Sequence, residues 1–106
     1  MKKVSQKLIR EMVDRIVRQF EPEKVILFGS YATGQAGPDS DVDLLVIMPF
    51  SGSKRLKHLE IRMAMHDIVV PKDVIVVTPE EFAVRKDIVG TIEYPAFREG
   101  KVLYAA

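Results

Sequence analysis

The chain contains no cysteine among its 106 residues. This absence excludes a disulfide framework, thiolate metal sites and a cysteine nucleophile. A membrane span needs about 18 consecutive apolar residues, and no stretch of the sequence is that long. No apolar signal segment follows Met1, Lys2 and Lys3. We therefore expect a cytoplasmic protein without a membrane partner. With 47% hydrophobic residues, the sequence predicts a single domain, 1–106, around one core.

Strong charge of either sign is also lacking, because the net charge is only +1. Direct nucleic-acid binding is therefore not expected. The small sum hides a local deficit, since residues 25–50 contain no Lys or Arg and three acidic residues, Asp39, Asp41 and Asp43. These carboxylates are either solvated or bind a cation that the sequence does not supply.

Apolar periodicity predicts the order of helices and strands. Apolar residues recur at intervals of three and four before Pro22, which is typical of an amphipathic helix. Short apolar runs predict strands at Lys24–Phe28, 41–48, 73–77 and 102–104. Further helices are expected from a Ser51 or Ser53 cap to about residue 68, from Thr78 to about residue 89, and for one turn at 95–99.

This order predicts an α+β domain in which helices pack on a small mixed β-sheet. Residues 30–40 separate the first two strands and are rich in small and polar residues, so we expect a loop with at most one helical turn. The direction of the strands is not determined by the pattern alone.

Asp41 and Asp43 begin the second predicted strand. The two-residue period of a strand points both carboxylates to one face, with Cα atoms about 6.5 to 7 Å apart. Water, a shared proton or a divalent cation such as Mg²⁺ would make two such charges tolerable. A solvated strand start is the alternative.

The Gly29-Ser30 corner and Asp73 are two further features that could belong to the same site as this pair. Gly29 and Ser30 follow the first strand, where a glycine and a small hydroxyl residue can open the backbone to an anion or simply form a turn. Asp73 begins the third strand beside Lys72 and is either exposed or placed next to Asp41 and Asp43. In the second case, the three carboxylates could hold two metal ions.

The segment from Gly29 to Leu44 resembles the signature of polymerase-beta-type nucleotidyltransferases. Its form here is G-S-Y-A-T-G, five residues, then S-D-V-D-L, and Asp73 follows on a later strand. The resemblance extends from the first helix to about Tyr104. Because no residues remain for a separate nucleobase-binding domain, the chain is similar to minimal nucleotidyltransferases of the MntA antitoxin type, which pair with HEPN-domain proteins.

The resemblance implies a polymerase-beta-like nucleotidyltransferase fold and a role for each matching residue. Asp41 and Asp43 would bind two Mg²⁺ ions, and Asp73 would be the third metal ligand and the base. Gly29 and Ser30 would bind the nucleotide phosphates, and Ser40 would be a further nucleotide-binding residue. Thr33 departs from the pattern, since many relatives have a basic residue at this position. A Lys or Arg distant in the sequence could supply the missing positive charge.

The activity that the resemblance implies is transfer of AMP from ATP to a hydroxyl, with a tyrosine of a partner HEPN toxin as the acceptor and an antitoxin role as the result. One alternative is a non-catalytic antitoxin module that binds its partner through the same scaffold. Another is a two-metal phosphohydrolase or nuclease, which would not need the Gly-Ser corner. A homo-oligomer is a further possibility.

Overall fold

The computed structural model of the protein describes residues 3–106. Its first helix, α1, spans Gln6–Phe20, and the Ser5 hydroxyl caps it by accepting a hydrogen bond from the Leu8 N–H at 3.1 Å. The helix ends before Pro22, as predicted, because Glu21 adopts a left-handed conformation with φ of 47°. The helix buries one apolar stripe in the core, consisting of Ile9, Met12, Val13 and Ile16.

Four strands form one mixed sheet in the order β3-β2-β1-β4. Strand β1 spans Lys24–Phe28 and pairs antiparallel with β2, Val42–Ile47, and with β4, Lys101–Ala105. Strand β3, Lys72–Val77, lies parallel to β2. The predicted α+β class with a small mixed sheet is therefore confirmed.

The two faces of the sheet carry different helices. Alternate side chains of β1, β2 and β3 pack with α1 and with the segment around Ile61 and Met65. The opposite alternation, which includes Leu45 and Ile47, packs with Ala96 and Phe82. Because the strand period is two, Asp43 belongs to this second face.

A single turn, α2, spans Ser30–Thr33. Helix α3 spans Lys54–Met63 and begins at Ser53, one of the two predicted caps, but it ends before residue 68. Beyond Met63 the backbone continues in tighter turns, since the Met65 N–H bonds the Arg62 carbonyl and the Ile68 N–H bonds the Met65 carbonyl. These turns bring Met65 and Ile68 into the core.

Helix α4, Pro79–Arg85, starts with the predicted capping box between Thr78 and Glu81. It ends at Arg85 instead of about residue 89. The backbone continues in a tight turn in which the Ile88 N–H bonds the Arg85 carbonyl at 2.9 Å, and the Thr91 hydroxyl lies 2.8 Å from both the Arg85 and the Ile88 carbonyl oxygens. Helix α5, Glu93–Glu99, then leads through Gly100 to β4. Within residues 3–106, no helix combines the length and apolar character needed to cross a bilayer.

Candidate active site

The strand directions bring several sequence-predicted residues to one end of the sheet. Strand β1 ends at this edge, whereas β2, β3 and β4 all begin there. Across the edge, the order is Asp73 on β3, Asp43 on β2, the Gly29-Ser30 corner after β1, and Lys101 on β4. Residues that are distant in the sequence are therefore neighbours in space.

Asp43 and Asp73 are direct partners in the parallel pairing of β2 and β3. Neighbouring strands are about 4.8 Å apart, and partners in register point to the same face. Asp41 lies immediately before β2 and is exposed, as is Asp73, whereas Asp43 is half-buried. The structure thus places Asp73 next to Asp43 and also leaves it exposed, so this register is compatible with the metal hypothesis, and the role of Asp73 stays a prediction.

No Lys or Arg forms an ion pair with any of these three carboxylates in the part of the chain that the structure describes. Lys72, the nearest cation in the sequence to Asp73, instead donates a hydrogen bond of 2.7 Å from its Nζ to the Ile68 carbonyl. Within residues 3–106, these carboxylates therefore lack an ion-paired cation.

The pKa of Asp43 reflects the lack of an ion-paired cation beside these carboxylates. Partial burial, followed by the negative charges of Asp73 and Asp41, raises the pKa of its carboxyl to about 6. A cation bound between these carboxylates would reverse this effect, since it favours the ionised form.

Gly29 allows the backbone to pass directly beside this carboxylate. It adopts a φ of 73° and a ψ of −154°, a conformation that is essentially restricted to glycine. A Cβ atom at this position would also overlap with the Asp43 Oδ2 atom. A glycine is therefore needed here for both backbone geometry and space.

Ser30 begins the short helix α2, Ser30–Thr33, which is the single helical turn expected in this segment. The N–H groups in the first turn of a helix have no acceptor within the helix, so those of Ser30 and Tyr31 can bind an external acceptor. Gly34 ends the turn with a φ of 80°. The Tyr31 hydroxyl accepts a hydrogen bond of 2.8 Å from the Val4 N–H and thereby attaches this turn to the start of α1.

Ser40 has a structural bond that the sequence did not predict. Its hydroxyl accepts a hydrogen bond of 2.9 Å from the Gly37 N–H, and its own N–H bonds the Gly37 carbonyl at 3.2 Å. Ser40 thus closes the loop that leads into Asp41. Its role in nucleotide binding stays a prediction.

The donor set fits Mg²⁺, which prefers a few carboxylate oxygens and leaves positions for water and phosphate. Among residues 3–106, however, no three His, Asp or Glu side chains already converge on one metal position. Asp43 and Asp73 have the required register, and Asp41 is exposed and free to rotate towards them. The backbone register is therefore compatible with a metal site, and metal binding stays a prediction.

The basic side chains beside the Gly-Ser corner were not predicted from the sequence. A cavity of about 590 Å³ adjoins Ser30 and Gly34, and its basic lining residues are Lys3, Lys7, Arg10 and Lys101. The spacing of Lys7 and Arg10, which puts both on one face of α1, was the available signal. The contribution of Lys101 depends on the pairing of β4 with β1 and could not be read from the sequence.

A family model described as nucleotidyltransferase domain matches residues 9–95 of the chain. This match includes the corner at Gly29 and Ser30, the Asp41-Asp43 pair and Asp73. No curated protein shows significant sequence similarity to the chain.

Several solved structures share the fold at low sequence identity. A toxin-antitoxin complex with AMP-PNP matches with a TM-score of 0.62 and 16% identity, covering 92% of this chain and 73% of the other. A complex of tri-AMPylated HEPN toxin and MNT antitoxin from Shewanella oneidensis gives 0.61 and 15%, covering 96% and 74%. The MntA-HepT toxin-antitoxin structure gives 0.57 and 15%, covering 95% and 74%. These matches confirm the expected fold.

Proposed function

Because the chain belongs to the nucleotidyltransferase domain family, we propose that it transfers AMP from ATP to a hydroxyl group of a partner protein. The observation that carries this proposal is the register of Asp43 with Asp73 beside the Gly29-Ser30 corner, with no Lys or Arg ion-paired to these carboxylates among the described residues. Carboxylates that would bind metal, and a corner that would bind phosphate, occupy the same edge of the sheet.

Asp41 and Asp43 would hold Mg²⁺, with Asp73 completing the ligand set. When bound, Mg²⁺ neutralises the charge that develops on the phosphate oxygens and favours deprotonation of the acceptor hydroxyl. Asp73, the most accessible position on β3, would accept the proton of that hydroxyl. The main-chain N–H groups and the hydroxyl of Ser30 would orient the phosphates for in-line attack.

The chemical balance of this transfer is simple. The acceptor oxygen forms a bond to the α-phosphorus, and the bond between that phosphorus and the oxygen bridging to the β-phosphorus breaks. Pyrophosphate leaves with the electron pair of the broken bond, and the proton of the acceptor goes to Asp73. AMP remains covalently attached to the acceptor.

We further propose that the acceptor is a tyrosine of a HEPN-domain toxin and that the modification makes this chain an antitoxin. The similar folds in a complex with AMP-PNP and in a complex with a tri-AMPylated HEPN toxin support this assignment. A chain of this size also has little surface to bind two substrates, so a bound partner would complete the site.

The test is incubation of the purified chain with labelled ATP, Mg²⁺ and the protein encoded beside it. We expect a labelled partner whose mass increases by one AMP group, and loss of labelling in the Asp41→Asn variant. Asp39→Asn is the matched control, because it removes the same charge from the neighbouring exposed loop. Labelling that persists in Asp41→Asn, or release of free AMP without a covalent product, would contradict the proposal.

One observation favours a second function, partner binding without catalysis. Leu56, Leu59 and Met63 are each more than half exposed on α3 and form a shallow groove with Phe20. If binding alone neutralises the toxin, a variant carrying both Asp41→Asn and Asp43→Asn will still protect cells that express the toxin. Loss of protection in that variant, with the complex still intact on gel filtration, would favour transfer.

A further inference from the structure

We propose that the exposed face of α3 pairs with the same face of a second copy of the chain, with the two helices parallel about a twofold axis. This inference goes beyond the proposed function and does not depend on it. Helix α3 packs through Ile61 on the α1 side of the sheet, whereas Asp43 belongs to the other face. The face with Asp43 therefore stays clear of the interface.

The exposed face of α3 carries an apolar stripe. Leu56, Leu59 and Met63 are 60%, 54% and 60% exposed, and their spacing of three and four residues puts them on one side of the helix. Ile61 is fully buried and lies about 140° around the helix from Leu56. The helix therefore has two apolar faces, and the described part of the chain covers only one of them.

The stripe has the spacing of a coiled-coil seam. Leu56, Leu59 and Met63 have the relation of positions a, d and a in successive heptads, and such side chains insert between those of a facing helix. A facing helix with the same stripe would remove all three side chains from water, which favours association. A second copy of the chain supplies such a helix.

The charges beside the stripe identify the occupant. With Leu56 at position a, Arg55 and Arg62 occupy position g and Glu60 occupies position e. In a parallel pair, a g side chain faces the e side chain five residues further along the other helix, so Arg55 meets Glu60 of the second copy, and the twofold axis repeats this pair. An antiparallel pair would instead bring Arg55 near Arg62 and Glu60 near Glu60, which is repulsive.

Both charges are available for this contact. Arg55 is exposed and forms no ion pair within residues 3–106. Glu60 pairs with Lys57 of its own helix at 3.4 Å through Oε2, and its side chain is 56% exposed. Because a carboxylate accepts hydrogen bonds on both oxygens, Glu60 can also bind Arg55 of the second copy.

The size of the contact sets its strength. Helix α3 has 10 residues and is therefore about 15 Å long. A contact centred on it is smaller than the about 800 Å² per partner of a standard interface. We therefore expect a weak dimer, and a partner protein that binds the stripe more tightly would displace the second copy.

The experiment is sedimentation equilibrium of the full chain at low salt, up to about 1 mM. We expect Arg55→Glu and Glu60→Arg each to weaken the dimer about tenfold, because each variant turns two symmetric attractions into repulsions. The double variant exchanges the signs of both partners and should restore the affinity. Arg98→Glu is the matched control, because it reverses an exposed arginine on α5, which packs on the opposite face of the sheet.

Each outcome decides the inference. Restored affinity in the double variant supports it, since a variant that had lost its fold would not recover through a second change. A double variant as weak as the single ones, or a single reversal that strengthens the dimer as an antiparallel pair would require, overturns it. A wild type that stays monomeric at about 1 mM also overturns it, including the case in which only a different protein binds the stripe. None of these outcomes involves AMP transfer, so failure of the proposed function leaves the inference standing.

Discussion

Replacing Asp43 with Asn should stabilise the metal-free protein at neutral pH. The folded chain raises the pKa of this carboxyl from 3.8 to about 6, first through burial and then through the charges of Asp73 and Asp41. Ionised Asp43 therefore opposes folding, and an uncharged amide of similar size removes that cost.

The magnitude follows from the two pKa values. The difference between 3.8 and about 6 corresponds to a loss of about 3 kcal/mol in the free energy of unfolding at neutral pH. Because Asp43 is only half-buried, water screens part of this cost, and about 1 kcal/mol is the realistic gain. For a domain of this length, 1 kcal/mol raises the melting temperature by about 5 °C.

The sign of the pH dependence is fixed by the same values. A carboxyl whose pKa is higher in the folded state binds more protons there, so wild-type stability falls as the pH rises from 3.8 through about 6. The advantage of Asp43→Asn should therefore be complete above pH 7 and should vanish below pH 4.

The assay is thermal unfolding in EDTA at pH 4 and pH 7.5, with Asp39→Asn as the control in the exposed loop. Added Mg²⁺ should raise the melting temperature of the wild type more than that of Asp43→Asn. The reasoning would be refuted by a variant that is no more stable than the wild type at pH 7.5, or by a difference that stays constant at pH 4.

Three further predictions concern stability. Gly29→Ala should lower the free energy of unfolding in urea by about 2 to 3 kcal/mol, because alanine disfavours this backbone conformation and its Cβ would overlap with Asp43. Partial recovery of this free energy in the double variant with Asp43→Ala would check the contribution of the overlap. Thr78→Ala should cost about 1 kcal/mol by removing the cap of α4, and an unchanged urea midpoint would contradict this. Arg15 lowers the pKa of Asp67 to about 2. Asp67→Asn should therefore have a lower melting temperature than the wild type at pH 7, and this difference should disappear as the pH falls from 3.8 through 2. A difference in melting temperature that persists at pH 2 would argue against the ion pair.

The secondary structure followed from local chemistry with small errors at helix ends. Strand β1 was predicted at its observed bounds, and the Ser53 cap and the Thr78 capping box were placed correctly. The ends of α3 and α4 were predicted too late. Tight turns follow both helices: Met65 is buried in the turn after α3, and the Ile88 N–H bonds the Arg85 carbonyl in the turn after α4.

The site was predictable only in part. The family signature in the sequence identified the candidates Gly29, Ser30, Asp41, Asp43 and Asp73, and the register of the parallel strands then placed Asp73 against Asp43. Their catalytic and metal-binding roles stay predictions. The bond from Ser40 to Gly37 and the cations of the cavity were not foreseen, because they depend on how loops and strands meet.

The sequence by itself determined the elements and the charge deficit of residues 25–50, because periodicity, caps and composition are local properties. Only the tertiary structure decided how that deficit is distributed. The sheet order groups the carboxylates on β2 and β3 and puts Lys101 on the far side of β1, where it joins Lys7 and Arg10 of α1. Strand pairing is a long-range interaction, so no local pattern could place the acidic and basic halves of this edge on either side of Ser30.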